Sequence, residues 1–548
     1  MVKGSLFRDA IISGAISIEN EKRKVDELNV YPVPDGDTGT NMAMTMSQAL
    51  SELELLDDNV EASQVAEVTA SALLRGARGN SGVILSLLFR GFAKGLSGHK
   101  TADCESLANS LELGVNAAYK AVMNPTEGTI LTVARIAAQK AQEIAISTND
   151  ITIFWQEVCN SAAETLEKTP DLLPTLKKAG VVDAGGQGLL IIFEAMLDIF
   201  KGGKIALAAD KKAAGTSAKS SETAVGDFDE EINFTYCTEM LITKNDDAPS
   251  HTKLRAYLET IGDCVLVVDD DEIIKVHVHT NNPGKAIEKA LEFGYVNLPK
   301  IENMRLQHEG KIREAKIQKK RKTVSVKPEN KYGFVAVAAG HGVETMFKDL
   351  GVDFVVTGGQ TMNPSTEDIL AAIQQTPAET VFVLPNNKNI IMAAEQAIKL
   401  ADRKVCVLQT RTIPQGMAAM LAYDDTADFA ENRIAMTKAF EKVSTGLITF
   451  AARDSDFEGH AIKKGEILAL DNSKLAFTDK DISKSVIKLT KRMVKGDTSF
   501  VTLIYGADVT EESAEKLQAQ LQQKLSSKIE VMLINGGQPV YYYIISVE

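Results

Sequence analysis

NVYPVPDGDTGTNM, Asn29 to Met42, is the stretch on which the reading of this chain turns. Pro32 and Pro34 favour extended backbone. Asp35 and Asp37, two apart, can then aim their carboxylates to one side. Such a pair calls for a cation. Thr38 or Thr40 can cap the following helix, whose free amides and positive dipole end attract phosphate. Carboxylates and an anion site would meet at one point, and magnesium suits that point because its usual ligands are a few carboxylates and phosphate oxygens. Asn29 can add a carbonyl oxygen. A solvated Asp-Gly turn is the plain alternative. An EF-hand is excluded, since Thr40 stands where its glycine belongs and Met46 where its glutamate belongs.

Three further loops share this texture. LLRGARGNSGVIL (73–85) breaks helical periodicity with Gly76, Gly79 and Gly82, and offers Arg78, Asn80 and Ser81 to a phosphate, although a tight helix–helix turn reads equally well. NPTEGTIL (124–131) and VVDAGGQGLL (181–190) again place Gly, Thr and Asp at helix starts. No Walker A sequence occurs, which excludes an ordinary P-loop kinase. Between the loops, apolar residues recur at helical spacing and predict helices over 5–27, 39–56, 61–75, 80–96, 104–123, 129–146, 152–168 and 185–201. Residues 1–202 are therefore expected to form an all-α eight-helix bundle or barrel. Alternate connections of an up-and-down bundle share an end, so the four loops can converge there.

Residues 203–227 are rich in Ala, Ser and Lys and read as a linker. From 228 to 308, INFTYCTEMLI alternates as a strand, LRAYLETIG reads as a helix, and CVLVVDDDEIIKVHVHT reads as two strands around an acidic turn, predicting a small α+β domain. There His277 and His279 share one face of a strand, and Cys237 lies on another strand, a donor set that suits zinc. Glu239 and water are candidates for the fourth ligand, and two ordinary histidines are the plain alternative. Residues 309–330 are basic and polar and read as a second linker. From 331 to 548, apolar runs such as FVAVAAG and TVFVLPNN alternate with helical segments, the pattern of an α/β domain, in which the last 80 or so residues form a lobe of their own. GGQTMNPST (358–366) and LPNNKN (384–389) follow strands, where ligands of open α/β sheets bind, though plain connecting loops also look like this.

Composition narrows the function classes. With 44% hydrophobic and 24% charged residues the 548-residue chain is ordinary for a multidomain soluble protein, and no apolar run approaches the ~18 residues of a membrane span. A formal charge of −14 argues against a nucleic-acid partner. Five scattered cysteines make no disulfide framework, so a cytoplasmic location is expected.

DGDTGTNM, Asp35 to Met42, resembles the nucleotide-binding L domain of dihydroxyacetone kinases, an eight-helix barrel whose D-G-D-x-G-x-N-M loop holds magnesium and ATP. With NVYP, GARGNSG, EGT and VVDAGGQG the chain is similar, and closer still, to the ATP-binding component of bacterial fatty-acid kinases, whose three-domain layout fits its whole length. The resemblance implies that Asp35 and Asp37, with Asn29, hold magnesium and carry catalysis. It implies that Thr38, Thr40, Asn41, Asn80, Ser81, Gly82, Thr129 and Asp183 surround the nucleotide. In one departure, Val30 stands where dihydroxyacetone kinases carry a third aspartate, and Asn29 is its substitute. It also strengthens the zinc reading of Cys237, His277 and His279.

The implied reaction is phosphorylation of a fatty-acid carboxylate by ATP, giving acyl phosphate and ADP and serving phospholipid synthesis. A carboxylate is already ionised at pH 7, so no general base is assigned. TMNPS resembles the TSQPS-like loop of the DegV fold, which implies a DegV-like C-terminal domain that docks a separate DegV-type fatty-acid-binding protein. A homodimer is a further family expectation. His341, in AAGHGVE, is similar to the substrate histidine of dihydroxyacetone kinases, but a lone His after a strand is usually a helix-start residue, and it receives no catalytic role. The rival readings are a triose kinase and a non-catalytic metal-binding regulator.

Overall fold

The computed structural model describes residues 1–29, 36–122, 125–206, 235–245, 249–269, 273–303, 326–359, 362–452, 454–457 and 460–548. Most of both expected linkers, 207–227 and 309–325, lies outside these, as does Asp35. The chain divides into two compact units, one made of Met1–Gly215 with Ser325–Glu548 and the other of Thr216–Val324.

The first part of the larger unit is helical: α1 (Gly4–Asp26), α2 (Thr38–Leu53), α3 (Ala62–Gly76), α4 (Gly79–Gly95), α5 (Cys104–Ala121), α6 (Ile130–Ala145), α7 (Ile151–Glu167) and α8 (Ala184–Phe200). These coincide with the expected helices to within three residues at each end. The periodicity missed two short helices between α7 and α8, Thr169–Leu172 and Pro174–Ala179, where Pro170 and Pro174 sit in first turns and start helix anew. Side chains set several starts: Asp103 makes a capping box with Ser106, and Asp150 accepts from the Thr152 and Ile153 amides. Core filling is tight. Trp155 is fully buried, packs edge-on against Phe193 and Phe200, and donates its indole N–H to the Phe193 carbonyl at 3.0 Å. Helices α4 and α5 touch backbone to backbone, for a Cβ at Gly91 would lie 2.2 Å from the Ser110 carbonyl oxygen.

The rest of this unit is α/β. Strands Asn330–Ala338 (β5), Phe354–Thr357 (β6), Ala378–Leu384 (β7) and Lys404–Val407 (β8) form a parallel sheet in the order β8-β7-β5-β6, numbering continuing from the middle unit below. A second, mixed sheet of six strands spans Ser444–Val547. That lobe starts earlier than the last 80 residues, because the strand Ser444–Phe450 pairs with Tyr543–Val547 and belongs to it. Helices Thr366–Gln375 (α11) and Ile391–Ile398 (α12) follow β6 and β7 and pack against α3 and α4. One hydrophobic core therefore runs from Leu73 and Ile84 through Ile369, Ile373 and Ile390 to Val335 and Val337.

The middle unit is a four-stranded antiparallel sheet of β1 (Tyr236–Lys244), β2 (Gly262–Asp269), β3 (Ile273–Thr280) and β4 (Gly294–Asn303), in the order β2-β3-β1-β4. Helices α9 (His251–Ile261) and α10 (Pro283–Ala290) give it a split β-α-β topology. Met240, Ile242, Ile274, Val276 and Val278 face Leu254, Leu258 and Ala286 in its core. No described helix is long and apolar enough to cross a membrane.

Candidate nucleotide and metal site

At one end of the helical part, all four glycine-bearing loops contribute to a single cavity of about 300 Å³. It is lined by Asn29, Gly36, Asp37, Thr38 and Asn41 from the first loop, and by Asn80, Ser81 and Ile84 from the second. Ile130 comes from the third, and Asp183 and Gly185 from the fourth. The cavity falls at the low end of the ~300 to 1,000 Å³ usual for small-molecule sites. It is bounded by the N-terminal turns of α2, α4, α6 and α8, so four dipole ends border one place.

The first loop folds back on itself. Asn29 lies against Gly36, and its Oδ1 accepts a 2.8 Å hydrogen bond from Thr38 Oγ1. Asp37 caps α2 through its carbonyl, which accepts from the Asn41 amide at 2.8 Å, leaving the carboxylate at the cavity. That carboxylate accepts from Asn363 Nδ2 at 2.6 Å. In the second loop Gly79 has φ +57°, and a Cβ there would meet Asn41 and Asn363, so glycine is required. Asn80 Oδ1 is buried with no hydrogen-bond partner among the described residues. A buried orphan acceptor in a polar cavity is what a donor on a bound ligand, or a metal-bound water, would satisfy.

Asp183 ties two helix starts together. It accepts from the Gly186 amide at 2.8 Å and also from the Ile130 and Gly185 amides, joining α8 to α6. Burial pushes its carboxyl up to about 6 despite those three donors. Because its surface lines the cavity, water or ligand there moderates the effect.

Not every expected residue turns inward. Thr40 gives its backbone N–H and hydroxyl to Asp26 of α1, at 3.1 and 2.7 Å. Gly82 packs against Thr45, and Thr129 starts α6 through its carbonyl while its hydroxyl donates to the Thr126 carbonyl, the neighbouring Ile130 lining the cavity instead. Arg78, attractive as a phosphate ligand in sequence, donates to the Asn363 carbonyl at 2.7 Å and pairs with Asp368 at 3.6 Å. Asp35 lies outside the described residues.

The sequence reading missed what the α/β part brings. Asn363 reaches Asp37, and Lys388 and Asn389 line the cavity. A β-bridge joins Arg78 to Ser365, and Thr366 N–H donates to the Ala77 carbonyl at 3.1 Å, so the loops 76–82 and 362–368 are stitched together. Both contributing loops, 358–366 and 384–389, were legible as strand-end ligand loops; their meeting with residues some 300 positions away was not.

In the middle unit the strand register sets Cys237 opposite His279 and Glu239 opposite His277. The side chains of Cys237, Glu239 and His277 fall outside the described residues. Among the described residues no group of three or more His, Cys, Asp and Glu is gathered for a metal.

Comparison with known proteins adds the lineage. Residues 32–198 match the DAK2 domain, 233–311 the FakA-like middle domain of fatty acid kinases, and 333–548 the FakA-like C-terminal domain. Protein YloV of Bacillus subtilis is 41% identical over 552 residues, covering 100% of this chain and 99% of its own. The chain belongs to the FakA-like fatty acid kinase family. Another relative, an uncharacterized protein of Staphylococcus aureus, is 40% identical over 551 residues, with 100% of this chain and 99% of the relative covered. Among solved structures, a DegV family protein from Corynebacterium glutamicum is similar over 40% of this chain and 97% of that one, at 14% identity and TM-score 0.33. The dihydroxyacetone kinase from C. freundii, solved with AMP-PNP and Mg2+, is similar over 35% of this chain and 33% of that one, at 21% identity and TM-score 0.28. Membership in the FakA-like family rests on the domain models and the full-length relatives.

Proposed function

We propose that this chain is the ATP-dependent kinase component of a fatty acid kinase, transferring the γ-phosphoryl group of ATP to the carboxylate of a fatty acid held by a separate DegV-type binding protein. The observation that carries this reading is the convergence of Asp37, Asn29, Asn80, Ser81 and Asp183 on one cavity at four helix N-termini. Hard oxygen donors beside helix N-termini fit magnesium and a polyphosphate. Asp37 with Asp35, and Asn29 through its remaining oxygen lone pair, would hold the metal, which when bound neutralises phosphate charge. Thr38, Asn41, Asn80 and Ser81 then orient the nucleotide, while Asp183 keeps the starts of α6 and α8 in place.

The transfer balances without a base. A carboxylate oxygen forms a bond to the γ-phosphorus, the bond from that phosphorus to the bridging oxygen breaks, and ADP leaves with the electron pair. No proton moves, so positioning and charge neutralisation suffice. The α/β domain docks the carrier in this reading, and the chain works as a cytoplasmic homodimer supplying phospholipid synthesis. The deciding assay supplies Mg·ATP with a fatty-acid-loaded carrier, with free fatty acid, or with dihydroxyacetone. Turnover confined to the loaded carrier supports the proposal; turnover on the triose alone refutes it, and no turnover at all favours a regulator.

For the middle domain we infer a structural zinc held by Cys237, His277 and His279, with Glu239 or water as fourth ligand. The facing strand positions, which offer one sulfur and two nitrogens, support it. His279→Ala should lower the zinc content of purified protein, and an undiminished content sinks the assignment.

A further inference from the structure

A kinase pocket needs positive charge near the transferring phosphoryl group, and the described helical residues supply none. Of the cavity's described lining residues, Lys388 alone is cationic. The natural candidate from the helical loops, Arg78, has its guanidinium committed to the Asn363 carbonyl and Asp368 and does not line the cavity.

Lys388 is exposed, yet the loop carrying it is built rather than loose. Asn386, at φ 55°, is buried and locked on three sides: its N–H donates to Thr410 Oγ1 at 3.1 Å, its Nδ2 to the Val337 carbonyl at 3.0 Å, and its Oδ1 accepts from the Thr410 hydroxyl at 2.8 Å. Asn387 donates to the Gly359 carbonyl and accepts from the Asn389 amide at 2.8 Å. Asn389 Oδ1 in turn lies 3.5 Å from Asn80 Nδ2, across the cavity wall. A surface lysine on a plain connecting loop would need none of this scaffolding, nor would it stand at the carboxyl end of a parallel strand facing a polar cavity.

We propose that Lys388 is a catalytic cation of the phosphoryl transfer, lent by the α/β domain to the helical domain's nucleotide pocket, so that the active site is composite within one chain. The proposal rests on the kinase reading above. An ammonium group is a mobile point charge that can follow phosphate oxygens as charge shifts among them. Asn363, which holds Asp37, is a positioning residue from the same domain.

The test uses full-length wild type, Lys388→Ala and Lys388→Arg, with three readouts: phosphoryl transfer to a fatty acid on its carrier, affinity for Mg·ADP, and affinity for Mg·AMP-PNP. Transfer by Lys388→Ala should fall about 100-fold, the loss typical of one preorganised charge-stabilising group. Its Mg·ADP affinity should hold, whereas any preference for AMP-PNP over ADP should shrink, because only the γ-phosphate loses a partner. Lys388→Arg should recover part of the transfer. The exposed position argues against unfolding as the cause of a loss, and an unchanged melting temperature checks it. Full transfer and an unchanged AMP-PNP preference in Lys388→Ala would overturn the proposal. If wild type phosphorylates only dihydroxyacetone, the fatty-acid reading fails, and the nucleotide preference still decides the role of Lys388.

Discussion

Two loops meet at the cavity, GARGNSG at 76–82 and LPNNKN at 384–389, and they use their cations in opposite ways. The first turns Arg78 away from the cavity and into the seam between helical and α/β domains. The second keeps Lys388 on the cavity wall while its asparagines bind backbone. A glycine-rich loop with an arginine looks like the phosphate binder, yet here the arginine fastens and the lysine from the other domain lines the cavity. The planar, many-donor guanidinium suits a carbonyl and a carboxylate together, and the single ammonium suits a phosphate.

Four substitutions sharpen that contrast. The largest effect is expected from Asp37→Ala, which removes a carboxylate from the cavity wall: under the proposed kinase reading, phosphoryl transfer should drop about 1,000-fold or more while circular dichroism of the helices stays the same. Full activity would remove Asp37 from the chemistry. Next, Arg78→Ala strips the seam of its bond to the Asn363 carbonyl and of its pairing with Asp368, and should cost about 1 to 3 kcal/mol of stability in denaturant unfolding. Stability equal to wild type would mean that Arg78 does not fasten the domains.

The third involves pH. Burial raises the Asp183 carboxyl from the ordinary 3.8 to about 6, so the folded chain binds the proton more tightly than the unfolded one. Between those values wild type loses stability as pH rises, and above about 6 the full burial penalty of the charged form is present. Asp183→Asn should therefore gain on wild type through that window by on the order of 2 kcal/mol, reduced from the full shift by water in the cavity. A stability difference that ignores pH from 4 to 7 would show an unshifted carboxyl. The smallest effect belongs to Thr129→Ala: its hydroxyl serves the Thr126 carbonyl, so transfer should change by less than about twofold, with a loss of about 1 kcal/mol in stability at most. A tenfold loss of transfer would put Thr129 on the nucleotide after all.

The helical domain was legible because its signals are local. Apolar spacing and glycine breaks such as Gly79 act within one or two turns of themselves, and the structure keeps both. Thr40 shows the limit. In sequence it is a second helix-cap hydroxyl beside the aspartates, and nothing local says that Asp26 stands ready to take it. Asn363 and Lys388 were legible as members of strand-end loops, but not as neighbours of the helical domain's cavity, since that depends on which surface the sheet is packed against.

By itself the sequence determined where the eight long helices begin, that glycines, threonines and aspartates crowd their starts, and that the middle domain carries two histidines two residues apart on one strand and a cysteine on another. Only the tertiary structure decided which of those starts share a cavity and which cation lines it. Backbone propensity and periodicity act over a few residues, whereas a site is made by groups hundreds of residues apart that an apolar core, from Leu73 to Val337, forces to meet.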